Sequence, residues 1–172
     1  PGQIQKASAG TLCDACESGQ YQSSTGQTAC LVPQDCQKGT QEFATSTAKT
    51  DRSCTDCLVG HYSDAIGAKV CKACGNFTFQ DTRGQTSCLA HRDCAPGKHI
   101  THIPNATTDR GCSDCVVGRF AAQKNAALCI ACPSGKFQPA IGQTGCVACA
   151  AGKIASNASV ATAAHCVDCG AG

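Results

Sequence analysis

Polar and apolar positions recur in a fixed order between successive cysteines. Glycine stands three residues after the opening cysteine at positions 19, 39, 60, 97, 118, 135 and 152, with Phe77 as the exception. Two residues further on stands an aromatic, at Tyr21, Tyr62, Phe79, Phe120 and Phe137, or Ile154 in the last segment. Four residues before the closing cysteine stand Gly26, Gly67, Gly84, Gly142 and Asn125.

This order predicts a short two-stranded hairpin in each segment. Gly and Asn are the residues that best tolerate a positive φ, so we expect a left-handed turn four residues before each closing cysteine. The early glycine provides a close turn, and the aromatic is expected to cover the cysteine sulfurs.

The cysteines themselves recur at a fixed spacing, which we call the repeat period. Adding 58 to each of the first nine cysteine positions reaches another cysteine every time, which identifies an internal repeat. GQTxC recurs at 26–30, 84–88 and 142–146, and TDRxCxDC recurs at 50–57 and 108–115. We therefore expect an incomplete leading repeat (1–15), a first superrepeat (16–73), a second (74–131) and a divergent, incomplete third (132–172). The template indicates an excerpt from a longer array, cut mid-repeat at both ends.

Composition argues against a conventional hydrophobic core. Leu, Ile, Val and Phe number 25, and Ala and Cys make up more than half of the positions counted as hydrophobic. A net charge of +2 with 15% charged residues excludes polyelectrolyte disorder. Without a basic run or an apolar stretch of membrane length, we expect no nucleic-acid partner and no membrane insertion within this segment.

Three kinds of cysteine chemistry compete: zinc binding, redox CxxC chemistry and disulfides. The seven CxxC motifs come close to zinc spacing, but Cys30, Cys36, Cys88 and Cys94 lie outside them. Redox catalysis needs a CxxC at the start of a helix after a strand, and no such pattern is present. Three N-glycosylation sequons begin at Asn76, Asn105 and Asn157 and favour a secretory route, where disulfides persist. We therefore predict disulfides, N-linked glycans and an extracellular or cell-surface location.

Spacing alone does not fix the disulfide connectivity. A repeat should reuse its pairing, however, and joining Cys13 to Cys30 and Cys54 to Cys71 breaks the repeat period. Pairing of neighbours preserves it, and gives Cys16–Cys30, Cys36–Cys54, Cys57–Cys71, Cys74–Cys88, Cys94–Cys112, Cys115–Cys129, Cys132–Cys146 and Cys149–Cys166. Cys13 and Cys169 are then left to partners beyond the excerpt. Each closed loop stabilises the fold by about 3 kcal/mol in the chain-entropy model.

The motif CxxCxxGxYxxxxGxTxC, followed by CxxGT and TDRxCxxC, resembles the cysteine-rich repeats of tumour-necrosis-factor receptors and ephrin-receptor-like repeats. In the receptor family six cysteines pair first with second, third with fifth and fourth with sixth. Aligned on that pattern, the third and fifth cysteines would fall at Pro33 and near Ser46, and in the next copy at His91 and near Pro104. Both members of one bridge are absent in both copies, which agrees with neighbour pairing of the others.

Other candidate chemistry is sparse. His91, His99 and His102 invite a metal site, but loop histidines are usually solvated. The pairs Asp51-Arg52 and Asp109-Arg110 are better explained by turn capping beside a structural ion pair than by ligand contact. Since we find no catalytic triad, paired carboxylates or phosphate loop, we expect no enzyme, no metal and no cofactor.

The expected fold is a small disulfide-rich one, an elongated array of short β-hairpin modules with little or no helix. We expect a structural extracellular glycoprotein, a disulfide-laddered rod within a filament, sheath, flagellar hair or cell-surface stalk, whose partners are other chains and copies of itself. The surface is expected to be Ala, Ser, Thr, Gly and Gln, and the Ala-rich stretch Ala150 to Ala164 could contact a neighbouring chain. The alternative is the ligand-binding ectodomain of a tumour-necrosis-factor-receptor-like or ephrin-receptor-like receptor.

Overall fold

The computed structural model of the chain describes residues 1–5, 12–155 and 166–168. These residues form short strands and no helix. The strands are β1 (Gln3–Ile4), β2 (Asp14–Ala15), β3 (Thr40–Ala44), β4 (Ser53–Asp56), β5 (His61–Tyr62), β6 (Lys72–Ala73), β7 (Thr78–Phe79), β8 (Leu89–Ala90), β9 (Lys98–His102), β10 (Gly111–Asp114), β11 (Arg119–Phe120), β12 (Ile130–Ala131), β13 (Lys136–Phe137), β14 (Val147–Ala148), β15 (Lys153–Ala155) and β16 (Cys166–Asp168).

Each odd-numbered strand pairs with the next strand in a two-stranded sheet. In three hairpins, β5–β6, β11–β12 and β13–β14, the first strand ends on the predicted aromatic position, and the return strand is the pair of residues inside a CxxC. His61 lies opposite Ala73, for example, and Tyr62 lies opposite Lys72. A CxxC is therefore the return strand of one hairpin and the start of the next segment. The return strand β8 lies instead between Cys88 and Cys94. These hairpins confirm the predicted class, a small disulfide-rich chain of β-hairpin modules with little or no helix.

Backbone conformation follows the predicted glycine and asparagine positions. The five residues predicted to form these turns all have positive φ, from 58° at Asn125 to 72° at Gly26 and Gly67. The glycines three after the opening cysteines also have positive φ, and Phe77, which replaces one of them, keeps the same conformation at 66°. The predicted left-handed turns are thus confirmed.

Half-cystines supply most of the buried apolar residues in the described ranges. Cys94, Cys115 and Cys132 are fully buried, and Phe79 is the single aromatic in this buried set. The other four aromatics in the same register are half-buried. Their predicted contact with the sulfurs remains a prediction.

Two compact units divide the chain, Pro1–Leu89 and Ala90–Gly172. The first contains β1 to β7 and the first residue of β8, and the second contains β9 to β16. The superrepeat boundaries after residues 15, 73 and 131 remain predictions.

Candidate functional site

Eight disulfides, each closing one loop that we call a rung, are the main covalent feature of the structure. They join Cys16–Cys30, Cys36–Cys54, Cys57–Cys71, Cys74–Cys88, Cys94–Cys112, Cys115–Cys129, Cys132–Cys146 and Cys149–Cys166. Their Cα–Cα distances of 5.5 to 5.8 Å lie in the normal range. Each pair joins neighbouring cysteines, the arrangement that keeps the repeat period. Cys13 is exposed and unbridged, and Cys169 lies outside the described residues.

Within each of the two units, backbone hydrogen bonds link consecutive rungs in a recurring register. The Gly39 N–H donates to the Ser63 carbonyl at 2.8 Å, and the Gly39 carbonyl accepts from the Cys57 N–H at 2.9 Å. The turn residue Gly67 donates its N–H to the Cys36 carbonyl at 2.7 Å. These bonds satisfy polar backbone groups of residues that lie outside long strands. The rungs therefore stack through main-chain groups and not through large side chains.

The same bonds recur one repeat period later, although the side chains differ. Gly97 donates to the Ala121 carbonyl at 2.8 Å and accepts from the Cys115 N–H at 2.9 Å. Asn125, which stands where the first copy has Gly67, donates its N–H to the Cys94 carbonyl at 2.9 Å. The register therefore depends on φ and backbone position and tolerates exchange of the side chain.

Rungs two apart also approach closely. A Cβ placed on Gly39 would overlap the carbonyl oxygen of Gly84, and a Cβ on Gly97 would overlap that of Gly142. Only a hydrogen fits at these two places. Glycine is therefore required there for space as well as for its positive φ.

Open space explains the Phe77 exception. Gly19 and Gly135 stand one repeat period before and after Phe77, and a Cβ added to either would meet nothing within 4 Å. Phe77 is 80% exposed, so the only energetic cost of a side chain at this position is that of the left-handed backbone conformation.

Sequence reasoning missed a set of buried glutamines that hold the hairpins closed. Gln22, Gln80 and Gln138 stand one repeat period apart, directly after the aromatic position, and are 4 to 6% exposed. The Gln80 amide donates to the Ser87 carbonyl at 2.9 Å and accepts from the Thr82 N–H at 3.1 Å. Each glutamine therefore bridges the two arms of its loop, as a buried amide with both functions satisfied. Their recurrence at the repeat period was the signal that could have identified them.

The two Cys-x5-Cys joints are held by polar contacts, which we call clamps. In the first clamp, Asp51 Oδ1 accepts from the Arg52 N–H at 2.7 Å and from the Gln34 N–H at 3.3 Å. The Arg52 guanidinium forms an ion pair with Asp35 and lies 3.0 Å from a Glu42 carboxylate oxygen. These contacts fasten the linker between Cys30 and Cys36 to β3, which contains Glu42, and to the residues just before β4. They account for Asp51 and Arg52 structurally, as the sequence predicted.

Tyr21 reaches the same clamp from the preceding rung. Its hydroxyl donates to Asp51 Oδ2 at 3.0 Å. Partial burial, followed by the hydrogen bond and charge of Asp51, raises the pKa of Tyr21 above its ordinary value. The second copy has Phe79 at this position, so this tether belongs to the first clamp alone.

The second clamp repeats the aspartate arrangement. Asp109 Oδ1 accepts from the Arg92 N–H at 3.0 Å and from the Arg110 N–H at 2.7 Å. Partial burial opposes ionisation of Asp109, but the two N–H donors outweigh it and hold its pKa below the ordinary value. His91 Nδ1 lies 3.5 Å from the same carboxylate.

Asp93 is the centre of the second clamp's ion pairs. It accepts from the Asn125 amide at 2.7 Å, from Lys124 at 2.9 Å and from Arg110 at 2.9 Å. Bonds from Asn125, Lys124 and Arg110, in that order of effect, hold the pKa of Asp93 well below its ordinary value. A linker that lacks the third cysteine of the receptor pattern is thus fastened by charge and hydrogen bonds.

Histidine and cysteine come together at one place among the described residues. His99 Nδ1 lies 3.3 Å from Cys129 Sγ, and its ligand atoms and those of Cys115 and Cys129 all lie within 4.8 Å of one another. The two sulfurs share a disulfide, so they are not available as the thiolates that a metal would need. His102 is exposed at the end of β9.

Two of the three predicted sequon asparagines lie on exposed loops, Asn76 and Asn105. The Asn105 side-chain oxygen accepts from the Thr107 N–H at 2.9 Å and from the hydroxyls of Thr107 and Thr108. Thr47, at the equivalent position of the first copy, caps the same turn with its hydroxyl. Asn105 therefore has a structural role, and glycosylation there and at Asn76 remains a prediction. Asn157 lies outside the described residues, as does most of the Ala150 to Ala164 stretch.

The surface differs from the predicted mixture of small and polar residues, because many aliphatic side chains are exposed. Several occupy matching positions in the two copies, such as Leu58 and Val116, which are 55% and 58% exposed, and Val70 and Leu128, which are 74% and 63% exposed. Chains held by disulfides need not bury their aliphatic residues, so these residues remain available for contacts.

Hairpin rungs, neighbour disulfides and a main-chain stacking register define a disulfide-laddered cysteine-rich repeat. Residues 118–166 match the family model described as Tyrosine-protein kinase ephrin type A/B receptor-like. These residues are thus similar to ephrin-receptor-like cysteine-rich repeats, which confirms that resemblance. No curated protein matches the chain significantly.

The family match and the eight disulfides together indicate an extracellular module. Within the described ranges, no helix has the length and apolarity needed to cross a membrane.

Proposed function

We propose that the chain is a structural extracellular glycoprotein, a disulfide-laddered rod that forms part of a filament, sheath, flagellar hair or cell-surface stalk. Its role is mechanical and not enzymatic. The observation that carries the proposal is the main-chain register between consecutive rungs, which is the same at Gly39 and at Gly97.

A mechanical role is supported by the way in which stability is distributed. Each rung is closed covalently, and consecutive rungs within each unit are hydrogen-bonded, so no single hydrophobic core has to survive for the rest to persist. The clamps at Asp51 and Asp109 fasten the joints where the spacing between cysteines lengthens. Stretching or local damage would therefore open one rung while its neighbours stay closed.

Self-assembly is supported by the matching exposed aliphatic residues. An exposed patch that recurs along one chain can pack against the same patch on a second copy of the chain. The same contact then forms more than once between the two copies. The pair Val70 and Leu128 is the most exposed of these matched pairs. Glycans at Asn76 and Asn105 would limit which sides of the chain come into contact.

Negative-stain microscopy and sedimentation of the glycosylated, oxidised chain test the proposal. We expect ordered polymers, and we expect Val70→Ser with Leu128→Ser to shift the chain toward monomers. The matched control is Gln37→Ser with Ala95→Ser, another exposed pair one repeat period apart, which should assemble normally. A chain that stays monomeric and binds a separate protein ligand would overturn the proposal in favour of the receptor-ectodomain class.

A further inference from the structure

Two equivalent clefts lie beside disulfides in the two copies. The first, of about 180 Å³, is lined by Gln41, Leu58, His61, Val70 and Cys71. The second, of about 310 Å³, is lined by His99, Val116, Arg119, Leu128 and Cys129. Every lining position in the second lies one repeat period after its counterpart in the first. The two clefts are thus the same site in the two copies, and the residues that differ between them can be compared within one chain.

The residue that faces the disulfide differs between the two clefts. In the first, Gln41 Oε1 accepts from the Cys71 backbone N–H at 2.8 Å and so binds the main chain. In the second, His99 Nδ1 lies 3.3 Å from the Cys129 sulfur itself. With its proton on Nδ1, His99 is a hydrogen-bond donor placed against the sulfur, whereas Gln41 is engaged elsewhere.

A second basic side chain lines the second cleft. Arg119 Nη1 donates to the Cys129 carbonyl at 3.1 Å, and the first copy has His61 at this position. None of the five lining residues is acidic. Cationic groups and N–H donors near sulfur favour the thiolate over the thiol. The second cleft is therefore built to accept negative charge at its disulfide.

We propose that Cys115–Cys129 is a thiol-exchange site that takes a small anionic thiol. The thiolate sulfur attacks Cys129 Sγ, a mixed disulfide forms, and the bond to Cys115 breaks with its electron pair on Cys115 Sγ. A second thiolate then attacks the external sulfur of the mixed disulfide and leaves as the oxidised dimer, while Cys129 leaves as a thiolate beside the His99 N–H. Both cysteine thiolates take up protons from water.

The attacked sulfur is assigned by access. Cys129 is 7% exposed and lines the cleft, whereas Cys115 is fully buried. The first copy offers nearly equal access, since Cys71 is 8% and Cys57 is 1% exposed. A difference in exchange rate between Cys115–Cys129 and Cys57–Cys71 therefore measures the effect of the neighbouring side chains and not the effect of exposure.

Differential alkylation and mass spectrometry of the oxidised full chain test the site. The chain is treated with limiting 3-mercaptopropionate, which is anionic, or with cysteamine, which is cationic, and opening of Cys115–Cys129 is divided by opening of Cys57–Cys71. This ratio cancels the intrinsic reactivity of each thiol. We expect a ratio of about ten with the anionic thiol, the effect of one charge-assisted hydrogen bond, and a smaller ratio with the cationic thiol.

Two variants exchange the facing residues between the clefts. His99→Gln, which installs the first copy's residue, should lower the ratio several-fold, since only Arg119 then distinguishes the charge of the two clefts. Gln41→His should raise the exchange rate of Cys57–Cys71. Circular dichroism and intact mass show that each variant is folded and fully oxidised before the thiol is added. A ratio near one in the unaltered chain, or an unchanged ratio in His99→Gln, would overturn the assignment.

Discussion

Removal of one rung from the ladder measures what a disulfide contributes beyond chain entropy. Cys16–Cys30 and Cys57–Cys71 both join residues 14 apart. Their loop-closure terms are therefore equal, about 3 kcal/mol each in the chain-entropy model. The two bridges differ in burial, because Cys57 and Cys71 are 1% and 8% exposed whereas Cys16 and Cys30 are half-buried.

Replacing both cysteines of a bridge with alanine should reveal that difference. Loss of two buried sulfur atoms leaves cavities that cost about 1 kcal/mol each. We expect the Cys57/Cys71 double variant to lose about 5 kcal/mol of local opening free energy, and the Cys16/Cys30 variant to lose about 3 to 4 kcal/mol.

Native-state hydrogen exchange with mass spectrometry is the appropriate assay, since a chain of separately closed rungs opens locally. In the Cys57/Cys71 variant, protection should fall across residues 36–88 and stay unchanged across 94–146. Equal losses of opening free energy in the two variants, or a loss below about 1 kcal/mol in either, would refute the view that the disulfides take the place of a hydrophobic core.

Four further outcomes are expected. Gly39→Ala should destabilise the chain more than Gly19→Ala in thermal melts, since both glycines have φ near 85° but only Gly39 lies against Gly84; equal melting temperatures would contradict this contact. Asp93 has a pKa lowered in the fold, so its contribution to the free energy of unfolding is present above its ordinary pKa of 3.8 and decreases as pH falls below that value. Asp93→Asn should therefore reduce the difference between melts at pH 6 and pH 3. Gln80→Leu should cost about 1 to 3 kcal/mol in urea unfolding, because two part-buried backbone groups lose their partner, and a neutral result would show that water replaces the amide. Non-reducing peptide mapping should recover the eight neighbour pairs, with no stoichiometric zinc, whereas free thiols with bound metal would exclude the ladder.

Local features of the fold could be predicted because they depend on single residue types. A positive φ selects glycine or asparagine, so Gly142 and Asn125 marked their turns directly. The hairpins followed from those turns and from the cysteines, since a short loop closed by a disulfide has few other conformations. The disulfide pairing followed from the requirement that each repeat use the same pairing as the repeat before it.

Features that join different rungs could not be predicted. The approach of Gly39 to Gly84 depends on stacking across two rungs, which the residues around Gly39 do not show. The roles of Gln80 and Asp93 depend on which backbone groups or charges lie beside them in space. Exposure of Leu58 could not be predicted either, because a sequence pattern shows which residues are apolar and not whether the fold has room to bury them.

The close approach between rungs two apart constrains how such a chain can lengthen. A residue with a side chain in place of Gly39 or Gly97 would collide with the carbonyl that faces it, so every such crossing needs a glycine. Copying the chain in blocks of three rungs keeps a glycine at each crossing, and three rungs make up the 58-residue period that its sequence preserves.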